Sequence, residues 1–284
     1  MNSLAQKIEQ ALGVLPVKVG PLTGGCVGQV YRIELADGSR LVAKVDDRPQ
    51  PNLDIEGFML EYLARHSDLP VPEVRHNHPR LLIISFLPGS SRFSAGAQAH
   101  AAELLATLHN INAPQYGLER DTLIGGLNQP NLWTDSWVDF FREQRLLYMA
   151  RDAYQAGRLS GRLLGRVETF AGKLERWLVE PDRPGLIHGD VWTANVLADG
   201  QRITGFIDPA IYYADPEIEL AFITLFSSFG DAFFGPYQER RPIPAGFFEA
   251  RRDIYNLYPL LVHSRLFGGG YPASVARILD RFGF

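Results

Sequence analysis

The chain has 284 residues, enough for about two domains, and its 46% hydrophobic and 21% charged residues exclude a disordered, collagen-like or coiled-coil protein. With 28 Lys+Arg against 32 Asp+Glu, a net charge of −4, it has no basic excess with which to grip nucleic acid. One cysteine, Cys26, rules out an internal disulfide; with no signal-peptide pattern over Met1–Gln10 and no apolar run near the roughly 18 residues of a membrane span, a cytoplasmic protein without a membrane partner is expected.

Leu4, Ile8 and Leu12 recur at helical spacing and predict a short opening helix. Alternating apolar and polar residues over 30–35 and 41–45, joined by Asp37-Gly38, predict an antiparallel hairpin. Pro49 and Pro51 close it, a helix follows over 54–65, and Leu69-Pro70-Val71-Pro72 ends that helix. His76-Asn77-His78, without Cys, Asp or Glu partners, reads as a solvated turn rather than a metal pair. Leu81-Leu82-Ile83-Ile84-Ser85-Phe86 reads as a buried strand that stops at Pro88-Gly89. Beyond it, helices are predicted over 95–110, 136–156, 160–179, 215–229, 247–258 and 273–282. Short strands interrupt them between Leu186 and Ile207, around an Asp199-Gly200 turn. The predicted fold class is α+β, with a small antiparallel β-rich N-terminal lobe over 1–88 and a larger α-helical C-terminal lobe over 89–284. Ligands favour clefts between such units, so chemistry is expected where the lobes meet.

Four motifs lie along that cleft in order. Thr23-Gly24-Gly25-Cys26-Val27-Gly28 sits between two predicted strands; Gly24, Gly25 and Gly28 let a backbone approach a phosphate and aim N–H groups at its oxygens. No Gly-Lys-Ser/Thr follows, so it is not a Walker loop. Lys44 lies mid-strand in Leu41-Val42-Ala43-Lys44-Val45, where an ammonium needs a partner, and Glu56 early in the next helix can supply one. In kinases such a strand lysine holds nucleotide phosphates and such a glutamate orients it. His188-Gly189-Asp190-Val191-Trp192-Thr193-Ala194-Asn195 spaces an Asp and an Asn as a phosphoryl-transfer loop requires. There the Asp accepts the proton of a substrate hydroxyl and the Asn holds a metal ion; His188 reads as a hydrogen-bonded element of the loop. Gly205-Phe206-Ile207-Asp208-Pro209-Ala210 places Asp208 at a strand end, suited to a second Mg²⁺ ligand, since Mg²⁺ prefers hard oxygen donors and keeps several waters.

The chain resembles the fructosamine kinase (ketosamine-3-kinase) family, within the aminoglycoside-phosphotransferase-like branch of the protein-kinase fold. Kinase logic is carried by the four motifs, and family likeness by Ile124-Gly125-Gly126-Leu127-Asn128-Gln129-Pro130-Asn131, Trp137-Val138-Asp139-Phe140-Phe141-Arg142, Ile207-Asp208-Pro209-Ala210-Ile211-Tyr212-Tyr213 and Leu266-Phe267-Gly268-Gly269-Gly270-Tyr271. The resemblance implies a bilobal kinase-like fold and ATP-dependent phosphorylation of the 3-hydroxyl of a ketosamine, free or protein-bound, which makes the adduct prone to break down. It implies Asp190 as the base, Asn195 and Asp208 as Mg²⁺ ligands, Lys44 and Glu56 as the phosphate-positioning pair, and the backbone at Ser85, Phe86 and Leu87 as the adenine contact. Two departures stand out: no acidic residue at Ser85-Phe86, and Trp-Thr-Ala-Asn where Trp-Ser-Gly-Asn is commoner. Rival readings are a kinase for another small molecule, such as an aminoglycoside, choline or homoserine, and a non-catalytic pseudokinase module.

Other positions stay open between two roles. Trp192 and His263 either wall the substrate pocket or pack in the core. Asp215 and Glu219 share a helix face near Asp208: Asp215 reads as a helix-start acid, Glu219 as either that or a brace for the site. A loop rich in N–H donors favours a thiolate, so Cys26 is a candidate redox switch and the chain a monomer or a Cys26-linked dimer.

Overall fold

Helix α1 (Leu4–Leu12) begins at a capping box, Ser3 accepting from the Gln6 N–H and Gln6 returning the bond, and ends where Gly13 turns left-handed. The computed structural model describes residues 3–22 and 28–284; Gly24, Gly25 and Cys26, and with them the proposed redox thiol, lie outside the described residues. Strands β1 (Lys18–Pro21), β2 (Gln29–Glu34), β3 (Arg40–Val45), β4 (Val74–His78) and β5 (Leu81–Ser85) form one sheet in the order β1-β2-β3-β5-β4. Every pairing is antiparallel. Ile8 of α1 packs with Ile33, Leu41, Ala43, Val45, Leu81 and Ile83 on one face of the sheet.

The hairpin expected at Asp37-Gly38 forms, with Gly38 at φ 83°. His76-Asn77-His78 is not a turn but the edge strand β4. An edge strand pairs on one side only and tolerates polar residues, and the Asn77 amide fills the space beside Gly57 and donates to the Asp54 carbonyl.

Helix α2 (Leu53–His66) serves two cores at once. Leu53 and Leu60 pack on Leu82 and Ile84 of β5, while Met59, Tyr62 and Leu63 belong to the large core of the helical part. The Tyr62 hydroxyl also meets that of Tyr213, 3.2 Å away, and the Arg120 guanidinium lies 4.8 Å over the Phe58 ring.

The helical part runs α3 (Ala95–Leu108), the two short strands β6 (Thr122–Ile124) and β7 (Leu127–Gln129), α4 (Trp137–Phe140), α5 (Tyr148–Gln155) and α6 (Gly161–Ala171). Then come β8 (Gly185–Ile187), β9 (Val196–Asp199), β10 (Arg202–Phe206), β11 (Tyr212–Ala214), α7 (Glu217–Leu225), α8 (Asp231–Arg240), α9 (Arg252–Phe267) and α10 (Tyr271–Arg281). β9 pairs with β10 and β8 with β11, which places the loops after β8 and β10 side by side. Several boundaries depart from the sequence pattern. The helix predicted over 136–156 contains a π-helical turn at Phe141–Leu147, and the one over 160–179 stops at Ala171. β6–β7 was not anticipated: its strands are three residues long, and Gly125 and Gly126 turn it at φ 54° and 81°, both left-handed as a two-residue hairpin demands. α8 was also missed, since Gly235-Pro236 reads as a breaker, and α9 runs through Pro259.

Because α2 is packed on both sides, Leu63→Ala, at a fully buried site, is expected to cost about 2–5 kcal/mol, measured as the change in unfolding free energy in urea.

Candidate active site

Lys44 points from the middle of β3 into the cleft, 8% exposed. Its Nζ donates to Glu56 Oε1 at 2.6 Å and to Asp208 Oδ1. Burial alone would lower the lysine pKa, but Asp208 and then Glu56 outweigh it and raise it above its ordinary value. One cation therefore links a strand of the sheet, helix α2 and the segment after β10. Asp208 itself sits at φ 52°, a backbone state that persists where surroundings enforce it and that clusters at active sites.

The loop after β8 brings the second group. The Asn195 amide donates to Asp190 Oδ2 at 2.8 Å and to the Asp190 carbonyl at 3.0 Å. Both amide hydrogens are thus spent, and among the described residues Asn195 Oδ1 accepts no hydrogen bond. Burial, and then the neighbouring Asp208 charge, push the Asp190 carboxyl up to about 8. An amide oxygen and the Asp208 carboxylate are hard donors of the kind Mg²⁺ takes, and the acidic excess around them suits a divalent cation.

The loop is held from behind. His188 accepts the Asp190 N–H on Nδ1 at 3.3 Å, and burial lowers its pKa, keeping it neutral. Glu219 on α7 accepts the Gly189 N–H at 2.5 Å, the His188 N–H at 3.3 Å and His109 Nε2–H at 2.8 Å. His109 Nδ1 in turn accepts from the Tyr237 hydroxyl at 2.7 Å. Burial would raise the Glu219 carboxyl, but the His109 bond overrides it and holds it below the usual carboxylate range. Glu219 is thus a brace. Asp215 keeps the helix-start role, accepting the Glu217 N–H, and adds a bond from Tyr255. Gly189, at φ 87°, lies so close to Ala210 that a Cβ would overlap the Ala210 carbonyl oxygen.

Lys44, Glu56, Asp190, Asn195 and Asp208 line one cavity, and so do Trp192 and His263. The Trp192 ring lies 5.6 Å from Phe226, and Phe226 lies 5.0 Å from His263. His263 Nδ1–H donates to the Pro259 carbonyl at 2.8 Å and burial lowers its pKa, leaving Nε2 as an acceptor. Phe222, Tyr212, Tyr258 and the Gly125-Gly126 turn complete the wall; sequence reading had not assigned these to a site, nor His109 and Tyr237 to a support.

Ser85, Phe86 and Leu87 are not part of this wall. The Ser85 N–H bonds the Glu73 carbonyl at 2.8 Å and the Phe86 N–H that of Arg40 at 3.1 Å. Only the Leu87 N–H makes no hydrogen bond among the described residues. The Phe86 ring faces Arg32 and Arg40 instead, and the Leu87 side chain occupies the space a Cβ at Gly205 would need. Gly28, the last glycine of the first motif, has φ 76°, and a Cβ there would come within 2.5 Å of the Val45 carbonyl oxygen.

The sequence profile of the fructosamine kinase family matches residues 1–282. The chain belongs to the fructosamine kinase family. A protein of Synechocystis sp. provisionally named a ketoamine kinase is 32% identical over 295 residues, covering 99% of this chain and 96% of that one. The chloroplastic protein-ribulosamine 3-kinase of Arabidopsis thaliana is 31% identical, with 93% of this chain and 82% of the relative covered. In three dimensions, a Thermobifida fusca protein provisionally named a fructosamine-3-kinase superposes with a TM-score of 0.87 at 31% identity over 99% of each chain. An aminoglycoside phosphotransferase in complex with ADP and hygromycin B gives a TM-score of 0.68 at 18% identity, covering 99% of this chain and 96% of that one. The last likeness is one of fold, and the fold is the bilobal kinase-like one predicted from the sequence.

Glu219→Gln keeps one acceptor oxygen but turns an NH2 donor either toward the Gly189 N–H or toward the His188 N–H and His109 Nε2–H. It is expected to cost about 1–3 kcal/mol, read by urea unfolding, while Asp215→Asn can keep its oxygen on the Glu217 N–H and donate its NH2 to the Tyr255 hydroxyl, and costs less.

Proposed function

We propose that this chain is an ATP-dependent kinase that phosphorylates the 3-hydroxyl of a ketosamine, and that its N-terminal lobe over 1–88 and C-terminal lobe over 89–284 close on that substrate. The observation that carries the reading is the convergence of the Lys44–Glu56–Asp208 ion cluster and the Asp190–Asn195 pair on one cavity, in a fructosamine kinase family chain. The relatives named for ketoamine and ribulosamine phosphorylation support the substrate class.

In this reading Asp190 aligns the attacking hydroxyl and accepts its proton. Burial raises the Asp190 carboxyl above the usual carboxylate range, the direction that favours taking up a proton. Lys44, oriented by Glu56, positions the nucleotide phosphates, and the glycine-rich segment with Gly24, Gly25 and Gly28 covers them. Asn195 Oδ1 and the Asp208 carboxylate would hold Mg²⁺, which when bound neutralises charge on the transferred group. The free Leu87 N–H and the carbonyls of Ser85 and Phe86 are what the hinge can offer an adenine. Trp192 and Phe222 present apolar faces to the sugar, and His263 Nε2 can accept from one of its hydroxyls. Enolisation of the C2 ketone toward C1 gives a 1,2-enaminol from which the C3 phosphate leaves as inorganic phosphate, and water hydrolyses the resulting C1 imine to the free amine and a 3-deoxy dicarbonyl sugar, a deglycation.

Asp190→Asn is expected to lower kcat by about 10²–10⁴ with ADP binding little changed. Coupled ADP release with synthetic fructosamine, ribulosamine and erythrulosamine, with ³¹P NMR to place the phosphate, checks it. Near-wild-type turnover removes Asp190 from the role, and an inert wild-type chain with all three sugars returns it to a binding module.

A further inference from the structure

The β6–β7 hairpin reaches the cavity at its Gly125-Gly126 tip, and its base lies directly behind Asp208. Gln129, at the end of β7, is 1% exposed. Its Nε2 donates to the Ala210 carbonyl at 3.1 Å and to Thr122 Oγ1 at 2.8 Å, and its Oε1 accepts the Tyr258 O–H at 2.7 Å. A carbonyl oxygen can only accept, so the amide has one orientation, and all its bonds are made within the protein. The Ala210 N–H is bound by the His188 carbonyl at 2.7 Å. The backbone two residues past Asp208 is therefore gripped at both polar groups, by the catalytic loop on one side and by Gln129 on the other.

A second line of bonds points the same way. Arg145, fully buried, forms no salt bridge among the described residues. Its Nη2 donates to Asn131 Oδ1 at 2.6 Å, its Nη1 to the Pro130 carbonyl at 2.6 Å, and its guanidinium lies 3.8 Å over the Tyr212 ring. Asn131 Nδ2 donates to Thr122 Oγ1 at 2.8 Å, and Thr122 Oγ1 donates to the Ile211 carbonyl at 3.3 Å. This line runs from the buried cation through Asn131 and Thr122 to the Ile211 carbonyl, an order in which successive bonds polarise one another, while Gln129 bonds the Ala210 carbonyl and shares Thr122 Oγ1 with that line.

We propose that Gln129, backed by Thr122, Asn131 and Arg145, is a positioning residue: by clamping the Ala210–Ile211 backbone it holds Asp208 in its left-handed conformation and so sets the affinity of the divalent-cation site. This rests on the reading of Asp208 as a metal ligand. Residues that orient metal ligands typically change affinity by 10–100-fold when removed.

The test is calorimetric binding of ADP by the intact chain at a series of free Mg²⁺ concentrations, with no turnover. Gln129→Leu is expected to raise the Mg²⁺ needed for half-maximal ADP binding about 10–100-fold, leaving metal-free ADP affinity unchanged. Tyr258→Phe, which removes only the O–H that fixes the amide, shifts it the same way by less, and decides the matter if Gln129→Leu does not fold. Asp208→Asn separates the two claims. A shift with Asp208→Asn but none with either other variant overturns the positioning role alone. A shift with none of the three overturns the metal-site reading and the inference with it. An equal loss of metal-free ADP affinity makes Gln129 merely structural and also overturns the proposal.

Discussion

Lys44 is the one charge on which both halves of the molecule depend. It is supplied by a strand of the sheet, oriented by a helix that belongs to both cores, and shared with an aspartate 164 residues away in sequence. A buried ammonium without partners would be costly by several kcal/mol, and a buried carboxylate likewise. Lys44 and Glu56 are tolerable in the interior because they meet, and the more exposed Asp208 completes the partners of the ammonium. In the proposed reading the arrangement allows exchange: a nucleotide phosphate would take the place of Asp208 on the ammonium and free that carboxylate for a cation.

Such an exchange is specific only if the groups around it stay still. Two buried supports do this from opposite directions. From the α7 side, Glu219 collects the loop amides of His188 and Gly189 and is itself fixed by His109 and Tyr237. From the hairpin side, Gln129 takes the Ala210 carbonyl. Both act by leaving the backbone on which Asp190 and Asp208 ride no alternative hydrogen-bonding pattern.

The parts legible in the sequence are those whose chemistry is local. Asp190 and Asn195 announce themselves by spacing, Lys44 by being a cation in an apolar strand, and the Asp37-Gly38 hairpin by its turn. Glu219 stays open between brace and helix-start acid in the sequence because its partner His109 lies 110 residues away, and Gln129 is not legible at all because Ala210 lies 81 residues away. Nothing about a glutamine in a three-residue strand marks it as buried. Tyr237 lies on a helix whose Gly235-Pro236 reads as a break; Pro236, inside the helix, forgoes the bond to the Ala232 carbonyl, and the buried Phe233 and Tyr237 hold the helix on the core nonetheless. Ser85 and Phe86 read as free hinge backbone because strand pairing to Glu73 and Arg40 lies outside any local pattern.

The double packing of α2 carries a further consequence for how the molecule can switch. Swinging the helix outward, as a means of parting Glu56 from Lys44, would expose at least Met59 and Leu63, each almost wholly buried. At about 1.5–3 kcal/mol for each side chain, the displaced state would hold only about one molecule in a hundred to one in ten thousand. The helix is thus no toggle. The ion pair is a standing feature of the fold.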